Sequence, residues 1–147
     1  MTIALSGSEV AKQLAKHFPD AISEASDHVM VVKNESLFKV AGYLKSSPEL
    51  DFDYLTSITA VDYYDYFELI YQLTSLKNNH TLTLKTRCYG RDKPAVPSVV
   101  SLWRGADFQE REICDLMGIE FEGHPNLKHI VLWEGFQGHP LRKDYLV

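Results

Sequence analysis

The residues that could do chemistry are concentrated at positions 106–130, which are rich in acids and histidines. His124 and His129 lie five positions apart, and Glu112 or Asp115 could complete a metal site with them. A helical zinc-binding pair is four positions apart, however, and the HExxH pattern is absent from the sequence. The spacing argues against a metal-dependent hydrolase but leaves it open as an alternative.

Other signatures of an active site are missing as well. The sequence contains no GxGxxG, Walker or GxSxG pattern, and no spacing that indicates a catalytic triad or a pair of catalytic carboxylates. The two cysteines, Cys88 and Cys114, are too few to ligate an iron–sulfur cluster, and we expect both to be buried and reduced. We therefore expect no catalytic, cofactor-binding or metal-binding residue in this chain.

Composition narrows the choice of partner. The 147 residues carry a net charge of −5, which gives no basic surface for nucleic acid or for an anionic membrane. No signal peptide and no apolar run of spanning length is visible in the sequence. If the protein works at a membrane, we expect another chain to hold it there.

The elements that must position these residues follow from hydrophobic periodicity. Apolar residues recur at helical spacing after Ser8 and again after Ser36, which could cap the second helix, and Pro19 and Pro48 end the two runs. Together with a short strand over 28–33, the pattern predicts an α+β fold, a two-layer sandwich in which helices cover an antiparallel or mixed β-sheet. Alternation at period two predicts the main strands, an antiparallel meander near 54–62, 67–74 and 82–88.

A third helix is predicted over 107–117. Asp107 and Glu110 have the spacing of a capping box, and Gly118 stands where a helix commonly ends. One arc of this helix is apolar and would face the core; it consists of Ile113, Leu116 and Met117.

The opposite arc of that helix gathers Arg111, Glu112 and Asp115 beside Phe108. A solvated face is the ordinary explanation of such charges, but it gives no reason to place acids beside an aromatic ring. We interpret the arc as a docking face for basic groups of this chain or of a neighbour. The candidates within the chain are Arg104, Lys128, Arg142 and Lys143.

Two Gly-His-Pro triplets, at 123–125 and 138–140, follow the helix. Proline stiffens the backbone and glycine permits a positive φ, so each triplet should form a sharp corner. We expect their histidines to hydrogen-bond across a subunit contact. Helical periodicity ends after 118, and we interpret 119–147 as an extended docking tail of a core domain that covers 1–118. Its expected apolar anchors are Phe121, Leu127, Ile130, Leu132 and Trp133.

The order and spacing of the charged residues resemble the signature of the C subunit of NADH-quinone oxidoreductase, respiratory complex I. The resemblance includes LTLKTR at 82–87, VPSV at 96–99 and GHPLRKDY at 138–145. Its central part runs from Trp103 through the ERE triplet and carries Glu110, Arg111, Glu112, Asp115, Leu116, His124, Lys128 and Ile130.

This resemblance implies a structural subunit of the peripheral arm of a proton-translocating enzyme complex, without catalytic residues of its own. It implies that FMN, iron–sulfur clusters and quinone are bound by partner subunits, and that the chain packs beside the cluster-bearing and quinone-site subunits. Membrane contact would occur only through the complex, at the cytoplasmic face of a bacterial membrane or, alternatively, at the stromal face of a plastid thylakoid. The resemblance is also compatible with an equivalent subunit of a ferredoxin- or F420-linked dehydrogenase or a membrane hydrogenase, and with an assembly factor.

The predicted subunit interface combines the charged arc with both Gly-His-Pro triplets and the basic residues near them. It consists of Arg111, Glu112, Asp115, Gly123, His124, Pro125, Lys128, Gly138, His139, Pro140, Arg142 and Lys143.

Overall fold

A computed structural model describes residues 2–145. A main sheet with helices packed on it carries most of the core, and a second sheet of two short strands lies beside it. The elements in chain order are β1 (Ile3–Ala4), α1 (Gly7–Ala15), β2 (Ile22–Ala25), β3 (Met30–Val32), a 3-10 turn (Asn34–Ser36), α2 (Leu37–Ser46), β4 (Tyr54–Asp62), β5 (Tyr66–Ser75), β6 (His80–Tyr89), β7 (Ala95–Pro97), α3 (Ala106–Met117) and β8 (Glu120–Glu122).

The main sheet is mixed. Its strand order is β2-β3-β6-β5-β4, and β1 also pairs with β6. β4, β5 and β6 form the antiparallel meander that the alternating pattern predicts, whereas β1 and β3 both run parallel to β6. The predicted α+β sandwich with a mixed sheet is therefore confirmed.

The core lies between this sheet and the helices. Alternate residues of β5 and β6 point into it, among them Leu69, Tyr71, Leu82 and Leu84. Alternation places every second side chain of a strand on one face, which is why these two strands bury one face almost completely. From the helices come Val10, Leu14, Leu37, Val40, Ala41 and Leu44, at the spacing that the sequence predicts.

The helix starts differ in part from the prediction. The Ser6 side chain accepts a hydrogen bond from the Glu9 amide at 3.4 Å, so α1 begins slightly earlier than expected. Ser36 makes no capping hydrogen bond, because a 3-10 turn leads the chain directly into α2. The Ser36 cap is therefore wrong, although the helix that it introduces is confirmed.

The short strands are absent from the sequence-based prediction. β7 pairs in parallel with β8, so residues 95–97 belong to a strand instead of the predicted loop. Ile119 and Phe121, at the start of the predicted tail, are 0% and 2% exposed and belong to the core. Within the described residues, regular secondary structure ends at Glu122. The division into 1–118 and 119–147 stays a prediction.

We call residues 123–145 the tail segment. It consists of turns and irregular structure, and it lies along α3 and the end of β4. No helix within residues 2–145 combines the length and the apolar character that a membrane crossing requires.

Candidate functional site

The outer face of α3, with the tail segment on it, brings together most of the predicted interface residues. α3 begins after Gly105, and no side chain caps its first turn. Glu110 is not a cap. Its side chain is fully buried, and its carboxylate accepts hydrogen bonds from Ser98 Oγ at 2.6 Å and from the Val99 amide at 2.9 Å. The predicted capping box is therefore wrong, because Glu110 points inward and ties α3 to the segment after β7.

Burial raises the pKa of the Glu110 carboxyl, and the hydrogen bonds from Ser98 and Val99 counteract only part of that effect. The other end of α3 agrees with the prediction. Gly118 adopts a φ of 75°, and its amide donates to the carbonyl of Cys114. On the predicted core arc, Ile113 and Met117 are buried and Leu116 is half-buried.

Asp115 is the central residue of the site. It is 4% exposed, and its Oδ2 atom accepts hydrogen bonds from three consecutive amides. These are the amides of Ile130 at 2.8 Å, Val131 at 2.9 Å and Leu132 at 3.3 Å. Burial raises the pKa of Asp115, but these amides and the imidazole of His129 outweigh burial and hold the pKa below its usual value. The imidazole Nδ1 donates to Oδ1 at 2.6 Å.

Arg111 holds the same segment through the opposite backbone group. Its Nε donates to the carbonyl of Lys128 at 3.1 Å, and its Nη2 donates to the carbonyl of His129 at 3.0 Å. Its guanidinium carbon lies 5.6 Å from the centre of the Phe108 ring. Arg111 and Asp115 thus do not pair with each other. They bind carbonyls and amides of the tail segment instead.

The charged arc therefore docks mainly on main chain of its own molecule. The expectation that basic side chains would occupy it is wrong for Asp115, whose oxygens are taken by amides and by His129. Glu112 differs from its neighbours, because it is exposed and makes no hydrogen bond or ion pair within residues 2–145. It borders an open, mostly apolar cleft of about 280 Å³ between α3 and β4, which Leu141 also lines.

Both Gly-His-Pro corners have the predicted backbone geometry, with a φ of 86° at Gly123 and 88° at Gly138. The His124 side chain is fully buried. Its Nδ1 accepts from the Asn126 amide at 2.9 Å, so Nε2 carries the ring proton. Nε2 lies 3.0 Å from Asp107 Oδ1 and 3.3 Å from the carbonyl oxygen of the same residue.

His139 is held in a similar way. Its Nδ1 donates to the carbonyl of Asp115 at 2.8 Å, and its ring lies against Gly118. Two residues on, the Leu141 amide donates to the carbonyl of Leu116. The bonds described for both histidines are made within this chain, not across a subunit contact as we expected. Whether the two triplets also touch another subunit stays a prediction.

The far end of the tail segment is fastened at Asp62, which sequence reasoning missed. Asp62 is 4% exposed and accepts a two-pronged contact from Arg91, with N–O distances of 2.9 and 2.7 Å. It also accepts from the amides of Tyr64 and Lys143. The Arg91 guanidinium holds the pKa of Asp62 well below its usual range, despite burial. In sequence, Asp62 resembles an ordinary turn residue, which is why no signal distinguished it.

Arg142 and Lys143 from the predicted interface lie at this fastening point. Arg142 Nη2 donates to the carbonyl of Arg91 at 2.6 Å, and its Nε donates to Asp144 at 3.0 Å. The Lys143 ammonium lies 5.0 Å from the centre of the Tyr64 ring.

The apolar anchors of the tail are only partly as predicted. Phe121 is buried, and Leu127 and Leu132 are half-buried. Ile130 and Trp133, however, are 40% and 70% exposed. These two anchors are wrong, because polar contacts to main-chain atoms hold the segment while these side chains point to solvent.

The histidines and acids do not converge on one point. Among residues 2–145, no three side chains of histidine, cysteine, aspartate or glutamate form a group that could hold a metal ion. His124 is bound to Asp107 and His129 to Asp115. Neither cysteine is in a disulfide, and Cys88 is buried whereas Cys114 is half-buried. Burial raises the pKa of both thiols, that of Cys114 to about 11, so neither is an activated nucleophile.

Comparison with known proteins identifies the family. A family model described as respiratory-chain NADH dehydrogenase, 30 Kd subunit, matches residues 30–147, which include α3 and the tail segment. The chain belongs to this family.

Relatives named as C subunits of NADH-quinone oxidoreductase agree with that assignment. The protein from Roseiflexus castenholzii is 40% identical over 97% of this chain and 85% of its own length. A relative from Rhizobium meliloti, which bears the number 2 among the C subunits of that bacterium, is 43% identical over 80% of this chain. The match covers 65% of the R. meliloti protein, so that relative is considerably longer than the region shared with this chain.

A solved structure shares the fold. A chain of the membrane-bound sulfane sulfur reductase, an archaeal respiratory membrane complex, superposes with a TM-score of 0.75 at 26% identity. The alignment covers 95% of this chain and 85% of that one. The protein thus belongs to a family whose members are subunits of respiratory enzyme complexes.

Proposed function

We propose that this chain is a non-catalytic, structural subunit of the peripheral arm of a proton-translocating NADH-quinone oxidoreductase. In this role it supports electron transfer to quinone by holding the cluster-bearing and quinone-site subunits in register. FMN, iron–sulfur clusters and quinone are bound by those partners. The chain lies at the cytoplasmic face of a bacterial membrane and reaches the membrane only through the complex.

One observation carries the proposal: the side chains most capable of chemistry are used in internal bonds. Glu110 and Asp115 accept main-chain amides, and the imidazole of His139 is bonded to a carbonyl. Groups fastened in this way give a rigid surface of defined shape and are poorly placed to act as acids, bases or ligands. The names of the relatives supply the complex in which such a surface would serve.

Deletion of the gene in the producing organism tests the role. Membranes of the deletion strain should lose NADH-quinone activity together with the assembled peripheral arm, and the plasmid-borne chain should restore both. The purified chain alone should show no NADH oxidation or quinone reduction. Membranes that retain a complete and active complex without the chain would overturn the proposal, as would turnover by the purified chain.

Glu112 offers a sharper test of docking, because it is exposed and unpaired within the described residues. Glu112→Ala should leave the thermal stability of the isolated chain unchanged but reduce its incorporation into the complex. Glu120→Ala, which removes another exposed acid from β8, is the matched control. Equal incorporation of both variants would remove Glu112 from the interface. Asp115→Ala is unsuitable here, since it also releases the tail segment.

An equivalent place in a related membrane complex with another electron donor is the second candidate. The 0.75 TM-score to a chain of the archaeal sulfane sulfur reductase supports it. Identification of the subunits that co-purify in mild detergent distinguishes the two, because an NADH-oxidising flavoprotein should accompany this chain only in the first case. The metal-dependent hydrolase has no such support, since His124 and His129 are bound to different acids.

A further inference from the structure

The tail segment contains a loop whose apolar side chains face solvent. We call residues 130–136 the Trp133 loop. Ile130, Val131 and Trp133 are 40%, 57% and 70% exposed. The Trp133 ring meets Phe136 edge to face, with 4.8 Å between the ring centres and 84° between the planes. Three large apolar residues exposed within four positions form a local patch, whereas single exposed apolar residues are common on any protein.

The loop is ordered by its backbone and not by these side chains. Asp115 accepts the amides of Ile130, Val131 and Leu132, and hydrogen bonds to a charged acceptor are about twice as strong as neutral ones. The Phe136 amide closes a turn onto the carbonyl of Trp133. Because the main chain supplies the order, the exposed apolar side chains add little to the stability of this chain. Their arrangement fits a use outside it.

We propose that the Trp133 loop docks into an apolar pocket of a neighbouring protein subunit, with Trp133 as the anchor. This proposal rests on the proposed function, which supplies the neighbouring subunits. A tryptophan carries a large apolar area on a side chain with few rotatable bonds, and buried aromatic anchors dominate the energetics of many interfaces. A loop already held in shape loses little further conformational entropy on binding.

Charge selects the kind of partner. Glu134 follows the anchor directly, is exposed, and makes no ion pair or hydrogen bond within residues 2–145. A pocket with a lysine or arginine at its rim would pair with it. An anionic lipid surface would instead be repelled by Glu134 and by the net charge of −5. The occupant that fits is therefore a protein pocket with a basic rim.

Hydroxyl-radical footprinting of the chain, free and in the complex purified from membranes, tests the contact directly. Oxidation of Trp133 should fall at least about fivefold on assembly. Trp103 is 5% exposed in the free chain and serves as the internal reference that stays protected in both states. Leu76, in the β5–β6 turn and 69% exposed, monitors exposed surface elsewhere. Equal oxidation of Trp133 in both samples would overturn the proposal.

Matched variants provide the second measurement. Trp133→Ala should leave the melting temperature of the chain unchanged and weaken its retention in the complex by about tenfold or more, as loss of an interface anchor does. Leu76→Ala, which removes an equally exposed side chain, should be retained like the wild type. Glu134→Lys should slow association. Normal retention of Trp133→Ala would refute the anchor role.

The outcomes separate this proposal from the one on which it rests. If the wild-type chain co-purifies with the complex while Trp133 stays fully reactive, the docking loop is wrong and the structural role stands. If the wild-type chain does not co-purify at all, both fail. Binding of the free chain to phosphatidylglycerol vesicles, or a dimer that Trp133→Ala abolishes, would assign the loop to a lipid surface or to a second copy and overturn the proposed occupant.

Discussion

The imidazole of His139 lies directly against Gly118, so close that a Cβ atom at position 118 would be 2.6 Å from its Cδ2 atom. Gly118 also ends α3 with a φ of 75°, in the left-handed region that side chains disfavour. Both conditions require glycine. The same residue therefore ends the helix and makes room for the second Gly-His-Pro corner.

Gly118→Ala should lower the free energy of unfolding by about 1–3 kcal/mol, the range for a strained backbone conformation, because the clash with His139 adds to the strain. Urea denaturation measures the change. Gly42→Ala is the control of opposite sign. Gly42 lies inside α2 with nothing within 4 Å of a built Cβ, so alanine there should stabilise by roughly 0.5–1 kcal/mol. Unchanged stability of Gly118→Ala would contradict the contact.

Asp115→Asn should loosen the tail segment without unfolding the sheet. Loss of a charged acceptor should lower the opening free energy of this segment by about 1.5–3 kcal/mol. Amide exchange at Ile130, Val131 and Leu132 should then accelerate roughly 10- to 100-fold, while amides of β5 keep their rates. Glu120→Gln, which removes an exposed charge, should change none of these rates. Uniform acceleration across the chain would indicate global destabilisation instead.

The same carboxylate predicts a pH dependence. The folded-state pKa of Asp115 is lowered from 3.8, so its stabilising effect is fully present above pH 3.8 and is lost as pH falls through the folded value. The difference in stability between wild type and Asp115→Asn should therefore be constant near neutrality and shrink below about pH 4. Denaturation curves across pH 2–7 give this difference. A difference that grows on acidification would have the wrong sign.

Glu110 should show the opposite dependence. Burial raises its pKa above 4.5, so its contribution is greatest below that value and declines as pH rises through the folded pKa. Glu110→Gln keeps a neutral group that can accept from Val99 and donate to Ser98. The variant should therefore gain on the wild type as pH rises, by about 1.4 kcal/mol for each unit of pKa shift. Glu120→Gln should show no such trend, and a flat difference for Glu110→Gln would argue against a raised pKa.

The contact of Arg91 with Asp62 should matter more than its contact with Asp144. Arg91→Ala leaves a buried carboxylate with only two amide donors, and we expect a loss of about 2 kcal/mol or more. Asp144→Ala removes the exposed partner of the same guanidinium and should change stability little. Thermal denaturation of both variants decides the order. Equal effects would mean that the buried pair contributes no more than the exposed one.

Several features of the fold could be predicted because their causes are local. Alternation along 54–62, 66–75 and 80–89 reports which side chains share a face, and the meander is observed there. The helices and the C-cap at Gly118 follow from local periodicity and from the conformational freedom of glycine. β1, β7 and β8 could not be predicted in this way. They are only two or three residues long, and their existence depends on partners distant in the sequence.

The candidate site divides in the same manner. The sequence by itself determined that an unusual charged arc lies on α3, that two stiff corners follow it, and which family shares this pattern. Only the tertiary structure decided what the charges bind. Asp115 contacts amides 15 to 17 positions ahead, and Asp62 contacts one 81 positions ahead. Every residue except proline carries the same main-chain donor, so no side-chain pattern could announce these partners, and only the path of the folded chain selects them.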